Sequence, residues 1–140
     1  MAQSNGQLIR DLYSAFAAGD VPAVLATFHP QIVWMEAENI PYADRNPYLG
    51  PQAIAEGVFG RIMTEWGDFT VTPEKIVEGA DAVVAMGRYR GIYKATSLPL
   101  DAQFVHVWTI QDGQIVAFQQ YADTAQFARV CNAVIPPPSA

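Results

Sequence analysis

A chain of 140 residues that is 51% hydrophobic holds one domain with enough apolar material for a proper core. Its net charge of −6 argues against nucleic acid or an anionic membrane surface as a partner, since both require a basic patch. The lone Cys131 excludes an internal disulfide and a cysteine metal cluster, and reads as a small apolar filler. The opening MAQSNGQ is neither basic nor apolar, so no secretory signal is expected, and no apolar run approaches the ~20 residues of a membrane span. The expectation is a soluble cytoplasmic protein.

Leu8, Ile9, Leu12, Tyr13 and Phe16 recur at helical spacing and predict a helix over residues 4–18, stopped by Gly19. Asp20 caps a shorter helix, with Pro22 tolerated in its first turn, which ends at His29-Pro30. Residues 31–36 alternate as a strand that puts Ile32, Trp34 and Glu36 on one side. Residues 37–49 form the longest irregular segment, and loops of this length often serve as lids or binding loops. Gly50-Pro51 opens a third helix, whose apolar face carries Ile54, Val58, Phe59, Ile62 and Met63. Strands follow over residues 69–78 and 82–93, with a turn near Thr96-Ser97 beyond them. A short helix over residues 124–132 closes a single domain of residues 1–132. The proline-rich residues 133–140 are expected to be a disordered tail.

The centre of the pattern is residues 101–123, DAQFVHVWTIQDGQIVAFQQYAD. Asp112-Gly113 between alternating apolar runs is a strong hairpin signal. A two-residue turn there sets Ile110 against Ile115, and regular alternation then sets Val107 against Phe118, His106 against Gln119 and Val105 against Gln120. One face carries Val105, Val107, Phe118 and Gln120. The other carries Phe104, His106, Trp108, Gln119 and Tyr121. Neither is polar enough to face water, so one should cover a pocket and the other should meet a second layer or subunit. Helices first and consecutive antiparallel strands after them mean an α+β domain. Three N-terminal helices should cover one face of a strongly curved, mostly antiparallel sheet and enclose a pocket.

With HPQIVW (residues 29–34), YLGPQAI (48–54) and FVHVWTIQDGQIVAFQQYADT (104–124) in this order, the chain resembles SnoaL-like members of the nuclear transport factor two-like superfamily. That superfamily includes ketosteroid isomerases, polyketide cyclases and limonene epoxide hydrolase. The resemblance spans roughly residues 7–129 and implies a cone-shaped domain with a deep apolar pocket. It also implies a homodimer packed through the outer sheet face, which here would use Phe104, His106, Trp108, Gln119 and Tyr121.

Candidate chemistry divides between what the residues indicate and what the resemblance implies. Trp34 and Glu36 match two pocket positions of the epoxide hydrolase branch. Independently, a carboxylate among Ile32 and Trp34 would be desolvated and suited to moving a proton. Gln120 stands where cyclase and hydrolase relatives carry a carboxylate, and Val105 lies about where the isomerases carry a pocket acid. Both departures remove an ionisable group. Arg88 and Arg90 interrupt an apolar strand. A two-residue turn at Thr96-Ser97 would bring them to the Gln120 side and the pocket, whereas a bulge would turn them outward. His106 reads as a buried histidine bonded to Gln119, His29 as satisfying carbonyls at a helix end, and Asp123 as a helix cap. Two distant histidines give no metal signal, and no cofactor is expected. Tyr13, Phe16, Trp34, Phe59 and Phe118 could line a cavity for a small apolar ligand, with Tyr42 and Tyr48 reaching it from the long loop.

Two readings stay open. One is an acid–base enzyme of isomerase, cyclase or epoxide-hydrolase type acting on an apolar oxygenated substrate, with Glu36, Arg88 and Gln120 as its catalytic set. The other is a non-catalytic ligand-binding or dimeric interaction module.

Overall fold

The computed structural model describes residues 3–132, so the tail expected over 133–140 lies outside the described residues. Ser4 accepts the Gln7 amide at 3.1 Å and caps α1 (Asn5–Ala17), which turns Ile9, Leu12 and Tyr13 into the core. Asp20 caps α2 (Val21–Leu25) in the same way. Strand β1 (Phe28–Met35) begins earlier than the alternation alone suggests, because Phe28 pairs with Ile115 at the far end of the sheet. The long loop holds a 3₁₀ turn (Pro41–Arg45) and a short strand, β2 (Tyr48–Leu49). The third helix comes in three parts, α3 (Pro51–Ile54), a π turn (Ala55–Phe59) and α4 (Gly60–Glu65). Strands β3 (Trp66–Glu78), β4 (Ala82–Tyr93), β5 (Leu98–Gln111) and β6 (Gln114–Ala122) follow, and Asp123 caps α5 (Thr124–Cys131).

These strands form one six-stranded sheet in the order β2-β1-β6-β5-β4-β3, parallel only between β1 and β6. This is the α+β architecture expected from the sequence, with a curved, open sheet packed against helices. No helix among the described residues is long and apolar enough to cross a membrane. The π turn buries Gly57, Val58 and Phe59 against the sheet. Gly57 is required there, since a Cβ would lie 2.4 Å from the Tyr48 ring.

The central hairpin keeps its expected turn. Asp112 and Gly113 both have positive φ, 51° and 76°, and Ile110 pairs with Ile115. One residue further the register changes. Thr109 pairs with Ala117, which leaves Val116 as a bulge on β6. Because the side-chain period is two, this single extra residue exchanges the faces of everything beyond it. Trp108 now pairs with Phe118 and His106 with Gln120, while Val107 pairs with Gln119 and Val105 with Tyr121. Phe104, His106 and Trp108 are therefore buried beneath the helices and do not form an outer contact face. Val105 points outward, against the expectation that it lines the pocket. Tyr121, 57% exposed, remains outside, and Gln119 shares its face.

The same bulge decides the arginines. Arg88 pairs with Gln103 and Arg90 with Asp101, after a four-residue turn that replaces the two-residue one. They share the Val105 face, as alternation requires, but that face is the outer one. There Arg88 Nε contacts Asp101 at 2.7 Å and Arg90 Nε contacts the same carboxylate at 3.5 Å. The strand residue that faces inward is Tyr89.

Candidate functional site

The sheet and helices leave a cavity lined by residues from α1, α2, the third helix and five strands. It is narrow. Its volume is about 50 Å³. Half-buried Phe16, Ile62, Phe69 and Val71 mark the end where the lining meets solvent. Aromatic rings build the walls. Trp34 stacks on Phe118 with centroids 3.8 Å apart, as their paired positions on β1 and β6 dictate. Phe59 meets Trp34 edge-on at 5.6 Å and Phe16 at 5.5 Å.

Glu36 closes the inner end of β1 and is 2% exposed. Its backbone is clamped by Asn46, whose Oδ1 accepts the Glu36 amide at 2.9 Å and whose Nδ2 donates to the Glu36 carbonyl at 2.8 Å. The carboxylate accepts one side-chain hydrogen bond, from Trp34 Nε1 at 2.9 Å. Burial pushes its pKa from the usual carboxyl range up to about 7, held back by the indole N–H and the Arg61 charge. It is the one carboxylate among the lining residues.

Beside it, on neighbouring strands and α1, runs a polar chain that the regular hairpin register conceals. His106 Nδ1 lies 2.6 Å from the Tyr13 hydroxyl, and its Nε2 bonds the Tyr89 hydroxyl. Trp108 Nε1 donates to Tyr13 at 3.1 Å, and Gln120 Nε2 donates to Tyr89 at 2.8 Å. Gln120 Oε1 in turn accepts the Ala37 amide at 2.9 Å. The expected His106–Gln119 bond is absent, because Gln119 lies on the other face. Burial holds the imidazole neutral, its pKa lowered to about 3, and raises those of both phenols.

Of the residues singled out from sequence, Glu36, Gln120, Trp34, Tyr13, Phe16, Phe59 and Phe118 converge on this cavity. Arg88, Arg90 and Val105 do not. Tyr42 and Tyr48 are buried but stand behind the wall. The Tyr42 hydroxyl donates to Glu65 at 2.6 Å and accepts from Trp66 Nε1 at 3.0 Å. Tyr48 bonds the Tyr42 carbonyl and accepts from Arg61, which also pairs with Asp44 at 2.8 Å. Sequence reasoning missed His106, Tyr89 and Trp108 as lining residues. One signal was present. Ile115 and Phe118 are three apart, so both can face the core only if an extra residue lies between them. Among the described residues no group of three His, Cys, Asp or Glu side chains gathers to hold a metal ion.

Fold and cavity together define a small α+β domain enclosing an aromatic pocket with one buried acid. Residues 9–118 match the SnoaL-like domain, and the chain belongs to that family. An NTF2-like protein from Burkholderia thailandensis is 31% identical with a TM-score of 0.88, the match covering 93% of this chain and 98% of that one. TerC, crystallised with polyporic acid, is 25% identical with a TM-score of 0.79, covering 90% and 96%. A Catenulispora acidiphila protein with a ketosteroid isomerase-like fold, in complex with trimethylamine, is 15% identical with a TM-score of 0.75, covering 93% and 95%. It is alike in fold alone. No curated protein matches the sequence.

Proposed function

We propose that the cavity binds a small, flat, apolar molecule bearing oxygen, and that Glu36 moves a proton to and from it. The observation that carries this reading is the carboxyl of Glu36, 2% exposed in an aromatic pocket, where burial pushes its pKa up to about 7. A group with its pKa close to the working pH serves equally as base and acid. In its simplest form the ionised carboxylate takes a proton from carbon beside a carbonyl. The enolate oxygen is met by a phenol O–H of Tyr13 or Tyr89 in the same cavity, and Glu36 returns the proton. Gln120 is a positioning residue, since it holds Tyr89 and the Ala37 backbone together. Arg88, paired on the outer face, is left out of the set. The crystallisation of TerC with polyporic acid supports a pocket that takes a small molecule.

The test follows cyclic ketones in D2O by NMR. Wild type should exchange the protons beside the carbonyl, and Glu36→Gln should not. Exchange retained in the variant removes Glu36 from the chemistry. A second reading, a ligand-binding module without turnover, is favoured by the single carboxylate of the lining. It predicts ketone binding with no exchange in either protein.

The outer sheet face supports a homodimer. Val33, Ile92 and Tyr121 are 39%, 45% and 57% exposed, more apolar surface than a lone sheet normally shows to water. The interface proposed runs through Tyr121 and Gln119 without Phe104, His106 or Trp108.

A further inference from the structure

The wall that carries this polar chain has two donors of fixed role. Trp108 Nε1 has a hydrogen to give and no lone pair to offer, so it can only donate to Tyr13. The Gln120 amide is oriented by the Ala37 N–H on its oxygen, so its nitrogen can only donate to Tyr89. The one acceptor either phenol proton finds in this wall is a bare ring nitrogen of His106. A neutral imidazole has one such nitrogen, and its other nitrogen must donate to the opposite phenol. Among the described residues no carboxylate is bonded to the ring to make it a cation, and it is 5% exposed.

We infer that Tyr13, His106 and Tyr89 share their protons as one unit, in which the single imidazole proton always leaves one phenol proton uncommitted and free for an acceptor oxygen of the ligand. Either phenol can present it. With the ring proton on Nδ1, Tyr13 accepts from both Trp108 and His106, and its own hydrogen is free. With the ring proton on Nε2, Tyr89 accepts from both Gln120 and His106, and its hydrogen is free instead. Both side chains line the cavity. A buried donor with no partner is costly, so the ligand that relieves it must carry a carbonyl or similar oxygen. His106 is thus a positioning residue that makes two donors interchangeable and lets the pocket accept an oxygen at either of two places. This deepens, and rests on, the reading of the cavity as a ligand site.

The experiment compares 1-indanone with its hydrocarbon counterpart indane, titrated into wild type, Tyr13→Phe, Tyr89→Phe and the double variant. In wild type the ketone should bind about tenfold tighter, the worth of one good hydrogen bond. Each single variant should keep most of that preference, because the ring proton moves to serve the phenol that remains. The double variant should lose it. Unchanged indane affinity reports an intact cavity in each variant. With the ketone bound, ¹⁵N spectra should place the His106 ring proton on Nε2 in Tyr13→Phe and on Nδ1 in Tyr89→Phe. Loss of the whole preference in one single variant and none in the other would reveal a dedicated donor and overturn the inference. So would a doubly protonated His106 in wild type at neutral pH, a measurement that stands even where a variant fails to fold. Equal wild-type affinity for the two compounds removes this inference and leaves the ligand site standing. Binding of neither removes both.

Discussion

Glu36 and His106 line one cavity, and burial displaces them in opposite directions, the carboxyl up to about 7 and the imidazole down to about 3. Each is neutral in the form that burial prefers. Their contributions to stability therefore run against each other as pH changes. The folded state holds the Glu36 proton more tightly than the unfolded chain, so its contribution is full below pH 4.5 and is lost as pH rises to about 7. The folded state rejects the His106 proton, so that contribution is full above pH 6.5 and is lost as pH falls toward 3. Between 4.5 and 6.5 the two slopes oppose, each about 1.4 kcal/mol per pH unit for one proton. Denaturant unfolding across this window should show Glu36→Gln gaining stability relative to wild type as pH rises. His106→Gln should lose stability relative to wild type over the same interval. Parallel curves for all three proteins would contradict both assignments.

Trp34 is expected to tune Glu36 through one hydrogen bond. The indole N–H favours the ionised carboxylate, so Trp34→Phe should move the Glu36 midpoint above about 7 while keeping an aromatic wall. A carboxyl ¹³C titration of the variant reads the shift. A downward move would mean that loosened packing, and with it water entry, outweighs the lost bond.

Gly57 lets the π turn approach Tyr48. In Gly57→Ala the new methyl group meets a Tyr48 ring atom at 2.4 Å and has to displace Tyr48 or the turn. The expected loss is about 1–3 kcal/mol, typical of overpacking in a well-filled core, measured by denaturant unfolding. Because Phe59 sits in the same turn and lines the cavity, ligand affinity should fall as well.

Arg88 is expected to be silent in the chemistry. Its guanidinium pairs with an exposed Asp101 on the outer face, where ion pairs contribute little. Arg88→Ala should leave ketone exchange and cavity binding unchanged. A large drop in exchange without a change of fold would return the arginine to the site.

Tyr121 tests the dimer proposal. Placing a charge at this exposed ring should turn a dimer into a monomer, so Tyr121→Glu and wild type should separate in sedimentation velocity. The same mass for both, monomer or dimer, would remove Tyr121 from any interface.

The parts of this structure that could be read from sequence are those with a local signature. Ser4, Asp20 and Asp123 announce their helices by capping them, and Asp112-Gly113 takes the two positive φ angles its turn demands. The bulge at Val116 has no residue type to mark it. Its only trace is the odd spacing of Ile115 and Phe118, yet it governs which face of β5 meets the cavity. From that one residue follow the inward turn of His106 and Trp108 and the outward turn of Val105, Arg88 and Arg90. The loop tyrosines were misplaced for another reason. Tyr42 and Tyr48 are drawn off the cavity by Glu65, Trp66 and Arg61, partners 13 to 24 residues away that no local pattern encodes. Glu36 and Trp34 were legible because alternation along one short strand suffices to place them together.

Glu36 can carry a proton near neutral pH only if it titrates there, and its own titration is the most direct test. Selective ¹³C labelling of glutamate, with the Glu36 carboxyl assigned by its loss in Glu36→Gln, gives the midpoint without any substrate. The expected midpoint is close to 7. A midpoint in the ordinary glutamate range, near 4.5, would mean that water reaches the carboxylate and that this cavity does no acid–base chemistry through it.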